Sequence, residues 1–240
     1  MSSRQQQKEQ RRQERLAAEK AEAERKERQQ RLLWIGGGAL AVLAIVAVIV
    51  AVVAGGGGGN DKPKDPNTGE ELTPTAPKSG AAIPAAAETN LQTAAKNAGC
   101  TLKTFESEGR EHNPDPKSWK YKTNPPTSGT HNPTWAEDGV YAFGKAPPVG
   151  FTVHALEHGR IDIQYGPKLT KPQFDQLQAL MAEDQGYHQL LFKNQTKMPG
   201  TIAATAWTQQ MLCPTMNNKV FDAIRDFKAR YTDQGPEAVP

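Results

Sequence analysis

Cysteine is almost absent from this chain: Cys100 and Cys213 are the only two among 240 residues. Neither has a second cysteine at Cys-x-x-Cys spacing, so a thiol-disulfide exchange motif is missing and a structural bridge in an oxidising compartment is the default expectation. Closing so long a loop would stabilise a fold by about 4 to 5 kcal/mol on chain-entropy grounds. An excess of either charge is lacking as well. Beyond residue 31 the chain carries 19 basic against 20 acidic side chains, which leaves no basic surface for a nucleic-acid partner. No internal repeat is present.

Charge is missing altogether from Leu32 to Ala54. As a helix this run extends about 34 Å, enough for a hydrocarbon core about 30 Å thick, and it reads as a transmembrane helix. The preceding arm, residues 1–31, holds ten Lys/Arg against six Glu. The positive-inside bias therefore keeps the amino terminus cytoplasmic and sends the remainder across the plasma membrane. A cleaved signal would need a shorter apolar core and a shorter charged leader, although Val52-Val53-Ala54 would suit a peptidase. Trp34 stands where an interfacial aromatic belongs. In the arm, Glu22/Lys26, Glu24/Arg28 and Glu27/Arg31 have helix-supporting spacing, and Arg25, Lys26, Arg28 and Arg31 are placed to hold anionic lipid headgroups.

Large apolar residues are scarce from 55 to 84, where five consecutive glycines and five prolines predict a tether. Residues 85–240 then form the extracytoplasmic domain, of a size suited to one core. The pattern predicts a helix over Ala85–Ala98 stopped by Gly99, a strand through Phe105, and a strand Ile161–Tyr165 that alternates with Asp162 and Gln164 as if half-buried. A helix follows Thr170 and ends at Gly186; strands at Gln189–Phe192 and Thr201–Trp207 are read as a hairpin around Met198-Pro199-Gly200. Asn217 or Asn218 caps a last helix with Val220, Phe221, Ile224, Phe227 and Tyr231 on its buried face. The fold class is α+β, one mixed domain behind a single span and a flexible linker. Between Gly109 and Gly150 neither helical nor strand periodicity persists, and aromatics and prolines dominate.

Two histidines, His154 and His158, flank Glu157 in His-Ala-Leu-Glu-His. On a helix all three share a face; on a strand the histidines still do. His131 ends the rigid Pro-Pro-Thr-Ser-Gly-Thr-His turn, and His112 lies upstream. Imidazoles with a nearby carboxylate suit copper or zinc, and copper is available outside the membrane. A purely structural network is the bland alternative, with Glu157 orienting the rings. The same spacing marks inverted zinc peptidases, but Pro147, Pro148, Gly150 and Gly159 leave room for barely two turns. His188 reads as a satisfied lone histidine, and Met211 and Met216 as core filler near Cys213.

The blocks Pro125-Pro126-Thr127-Ser128-Gly129 with His131, and His154-Ala155-Leu156-Glu157-His158-Gly159, resemble those of a bacterial domain-of-unknown-function family, number 3105, whose members often follow one membrane span. The likeness covers about residues 95–236 and extends to Gly99-Cys100, Trp135, Gly139-Val140-Tyr141, Ala206-Trp207, Cys213 and the closing Gly235-Pro236-Glu237. Thr130 departs from the proline common after that block, while His112 matches a histidine usual before it. The resemblance implies a grouping of His112, His131, His154 and His158 and no activity.

These readings converge on a membrane-anchored domain that binds copper or zinc through His131, His154 and His158, with Glu157 and His112 beside them. A non-catalytic module, whose aromatic stretch from Trp119 to Phe143 contacts envelope protein or glycan, is the second reading. A zinc hydrolase with Glu157 as base is the third.

Overall fold

The computed structural model describes residues 62–64 and 69–237, which belong to a compact unit spanning Asp61–Pro240. The charged arm with Arg25, Lys26, Arg28 and Arg31, the apolar run Leu32 to Ala54 and the glycine run lie outside the described residues. Among the described residues no helix is long and apolar enough to cross a membrane.

Helix α1 (Leu91–Ala98) is shorter than its Ala-rich sequence predicts. Asn90 takes the backbone N–H of Thr93 on its side chain and so starts the helix late, while Gly99 closes it at φ 72°. Strand β1 (Thr101–Thr104) follows, then an irregular stretch broken only by a 3₁₀ turn (Pro116–Ser118) and the two-residue β2 (Gly139–Val140). Helix α2 (Val149–Glu157) and strand β3 (Ile161–Tyr165) come next. Helix α3 (Lys171–Ala182) begins at a reciprocal capping box between Thr170 and Gln173. Strands β4 (Gln189–Lys193), β5 (Ile202–Ala206) and β6 (Gln209–Cys213) lead to helix α4 (Val220–Tyr231).

The six strands form one mixed sheet in the order β1-β6-β5-β3-β4-β2, parallel where β4 meets β3 and β2 and antiparallel elsewhere. The α+β reading holds, but the expected hairpin of Gln189–Phe192 with Thr201–Trp207 does not. Strand β3 separates them, pairing Ile163 with Leu191 on one side and Ala204 on the other. The true hairpin joins β5 to β6 through Trp207-Thr208, with Thr208 at φ 62°. Its second strand escaped detection because Gln209 and Gln210 dilute the apolar signal.

Alternation along the strands divides the interior in two. Ile161, Ile163, Leu191, Ile202, Ala204 and Met211 meet α1, α3 and α4 on one face, where Val220, Phe221, Ile224 and Phe227 are buried as the helical spacing predicts. Leu190 and Phe192 meet Phe151 and Ala155 of α2, together with Tyr141 and Leu72, on the other. Strand β3 is therefore buried on both faces, not one. Of its polar residues, Gln164 meets a polar partner instead of water, its amide donating to Thr205 at 3.2 Å, while the buried Asp162 Oδ1 has no partner among the described residues.

Cys100 and Cys213 are bonded, tying the end of α1 to the end of β6. Part of the stretch read as a tether also belongs to the domain. Thr75 pairs with Val140 as an extra bridge, Leu72 is buried, and Arg225 donates to the Pro84 carbonyl at 2.7 Å. Apolar residues too sparse to build a core still suffice to cover one.

Candidate metal centre

Helix α2 owes its position to its own sequence. Pro147 and Pro148 precede it, and Gly150 in its first turn faces Trp119: a Cβ there would lie 2.5 Å from the indole. Residues 150 to 157 are all buried, so the helix carries His154 and Glu157 into the interior on one face, with His158 at its end.

The irregular stretch delivers the other two rings. Residues 109–113 and 129–131 run side by side: Gly129 N–H donates to the Gly109 carbonyl, His131 N–H to Glu111, and Asn113 N–H to His131. This parallel bridge sets His112 beside His131, with ring centroids 4.7 Å apart. The same segment crosses α2, since Asn132 N–H donates to the Gly150 carbonyl.

All four imidazoles converge. The His112 centroid lies 4.7 Å from that of His154, His131 lies 4.8 Å from His154, and His154 lies 4.4 Å from His158. Glu157 Oε2 is 3.0 Å from His131 Nε2 and 3.3 Å from His112 Nε2. Ligand atoms around a tetrahedral zinc, at about 2.0 Å each, lie about 3.3 Å apart. The four ligand atoms of His112, His131, His154 and Glu157 all fall within 4.8 Å of one another, close enough to hold one ion after small rotamer adjustments.

His158 is not among those four. Its ring turns toward a second group, His154, His158 and Glu237, whose ligand atoms also lie within 4.8 Å of one another. The expected single cluster of five is therefore two overlapping groups that share His154. Glu237 was not among the sequence candidates; it arrives by a return of the chain end that no local spacing reveals. There Glu237 N–H donates to the Glu157 carbonyl at 3.1 Å and Asp233 N–H to Gly159 at 2.9 Å.

Hydrogen bonding fixes which nitrogens bear lone pairs. His131 Nδ1 lies 2.8 Å from the Gly129 carbonyl and His154 Nδ1 2.6 Å from that of Asn132. A carbonyl only accepts, so both Nδ1 atoms carry hydrogen, and in the neutral rings both Nε2 atoms are bare acceptors. Burial pushes His131 and His158 below the usual histidine range and His154 down to about 3, favouring the neutral rings. The Nε2 lone pair of His131 then faces a carboxylate oxygen 3.0 Å away. His158 Nε2 lies 2.9 Å from His154 Nε2 and supplies the hydrogen between them, which leaves its buried Nδ1 without a partner among the described residues.

Elsewhere the remaining candidates sit in simpler settings. His188 is buried with its Nδ1 2.6 Å from Asp233, a satisfied histidine as expected but less exposed. Met211 is core, and Cys213 is committed to the bridge. Of the aromatic stretch, Tyr141 is buried and Trp119 packs edge-on against Phe151; Trp135 and Phe143 are its large exposed side chains. Trp135 sits edge-on to His154 and His158, at 5.7 and 5.0 Å.

A family model described as "Protein of unknown function (DUF3105)" matches residues 112–239, more than half of the chain. The chain belongs to DUF3105. The match begins at His112 and takes in His131, His154, Glu157, His158 and Glu237, so every ligand candidate lies inside the DUF3105 region. No curated protein matches the chain, and no solved structure does.

Proposed function

We propose that this DUF3105 domain binds one zinc or copper(II) ion through His112, His131, His154 and Glu157, and that the arm and apolar run anchor it to the outer side of the plasma membrane. The observation that carries the metal is the His131–Glu157 contact. A neutral imidazole lone pair and a carboxylate oxygen at 3.0 Å repel unless a positive charge, a metal ion or a proton, lies between them. Two Nδ1–carbonyl bonds hold the rings in the tautomer that a metal requires, the usual outer support of ligating histidines.

Nitrogen and oxygen donors, with both cysteines bonded to each other, favour zinc and copper(II) over copper(I). Glu157 is buried among the histidines as a ligand, which takes it out of service as the base of a hydrolase. Binding or delivery of the ion therefore fits better than peptide or ester cleavage. The disulfide suits an oxidising compartment, and the charge asymmetry about Leu32 to Ala54 suits an outward-facing domain, with Arg25, Lys26, Arg28 and Arg31 against lipid headgroups.

Full-length protein in detergent, loaded with zinc or copper(II), desalted and analysed for metal, should retain one ion per chain. A folded His131→Ala/His154→Ala variant should retain none. Equal retention by both would exclude these ligands. Protease added to intact cells should digest the domain, and complete protection would refute the outward orientation.

A further inference from the structure

The second ligand group shares a nitrogen with the first, and the sharing constrains what the two can do. His154 Nδ1 is spent on the Asn132 carbonyl, so His154 offers a single lone pair, on Nε2. An ion held by His154, His158 and Glu237 and an ion held by His112, His131, His154 and Glu157 would compete for that one nitrogen.

The surroundings of the two groups differ. Glu157 is buried, and the mouth at His112 carries Arg110, whose Nε lies 3.9 Å from Glu157 Oε1. An incoming cation meets a guanidinium there. On the other side stands the carboxylate of Glu237, half exposed, with its Oε2 3.5 Å from His158 Nε2. On that side Arg160 donates to the His158 carbonyl at 3.2 Å, with its charge paired to Asp138 at 3.2 Å.

Backbone holds Glu237 in place. Gly235 packs so tightly on the end of α2 that a Cβ would lie 2.2 Å from the Glu157 carbonyl and 2.3 Å from Gly159 N. The buried Nδ1 of His158, without a partner among the described residues, can take the hydrogen that Nε2 gives up when a metal binds there.

We propose that His154, His158 and Glu237 form an entry position for the metal ion, from which it passes to His131, Glu157 and His112 by way of the shared His154 Nε2. The inference rests on the metal-binding reading above. Transfer exchanges ligands one at a time: His158 and Glu237 leave as His131 and Glu157 join, while His154 stays bound. The ion's charge is unchanged, and His158 returns its lone pair to the free state. The occupancy is one ion per chain, never two.

Copper(II) alone is a suitable probe, because Trp135 lies against His154 and His158, Trp207 lies 6.3 Å from His131, and bound copper(II) quenches indole fluorescence. Full-length protein in detergent is mixed with copper(II) in a stopped-flow instrument, and equilibrium affinity is measured separately by competition with a chelator. Glu237→Gln keeps the backbone bond to Glu157 and removes only the charge. It should slow loading by about fivefold or more, the scale of local electrostatic steering, with affinity within about twofold of wild type. His158→Gln should do the same.

Unchanged loading rates in both variants would overturn the entry position, as would two ions bound per chain. A tenfold loss of affinity in Glu237→Gln with an unchanged rate would make Glu237 a resident ligand and overturn it too. Failure of the wild-type protein to bind copper(II) at all would instead fail the metal-binding reading.

Discussion

Replacing Glu157 by Gln separates a metal site from a structural salt-bridge network by the size of its effect on the metal-free protein. Glu157 is 2 % exposed, with Oε2 3.0 Å from His131 Nε2. If His131 were an imidazolium paired with Glu157, the variant would leave a buried charge alone and cost about 3 to 5 kcal/mol. With neutral His131 the outcome differs. The glutamine amide can donate to the Nε2 lone pair, a gain of about 1 kcal/mol, while the half-exposed contact to His112 loses a similar amount. The chelated variant should thus unfold within about 1 kcal/mol of wild type, or about 2 to 4 °C in Tm for a domain of this size. Metal should then reverse the order. Wild type at a zinc concentration one hundred times Kd gains about 2.7 kcal/mol, and the variant, lacking the anionic ligand, gains far less. Urea and thermal denaturation with chelator and with zinc read both quantities. A loss of several kcal/mol in the chelated variant, with no zinc effect on wild type, would refute the reasoning and establish a structural ion pair.

Acid should destabilise the metal-free protein early. His131, His154 and His158 are held below the usual histidine range by burial, so above about pH 6.5 they are neutral in both states and cost nothing. As pH falls below 6.5 the unfolded chain takes up protons that the folded one refuses, down to about 3 for His154. That ring alone should cost on the order of 2 kcal/mol by pH 5, read as a drop in the urea midpoint between pH 7 and 5 that His154→Gln lessens; a flat midpoint would contradict the buried neutral rings. Reduction of the Cys100–Cys213 bond, which closes a separation of 113 residues, should cost about 2 to 5 kcal/mol. Equal urea midpoints with and without reductant would show that the sheet holds β1 to β6 unaided.

Local spacing accounts for the parts of the site that lie on one element. His154, Glu157 and His158 share a face because the i, i+3, i+4 offsets of a helix impose it. The Thr170 cap, the Gly99 stop and the buried stripe of α4 were equally readable, since each depends on residues within a few positions. The β3–β4–β5 order was not. A hairpin between adjacent strands is the shortest connection, and only burial of Ile163 between Leu191 and Ala204 shows that the chain chose otherwise. The irregular stretch from 109 to 150 carried no period to read, because its backbone is satisfied by bonds to distant segments such as Thr208 N–H to the Thr127 carbonyl at 2.9 Å.

By itself the sequence determined the α+β class and the pairing of its two cysteines, both consequences of composition or short-range periodicity, and it left His-Ala-Leu-Glu-His open between helix and strand. Only the tertiary structure decided that His112 and His131 meet the helix, that His158 turns away toward Glu237, and that His154 belongs to both groups. Those facts depend on backbone bonds and burial between segments separated by tens of residues, and no local pattern encodes a distance across the fold.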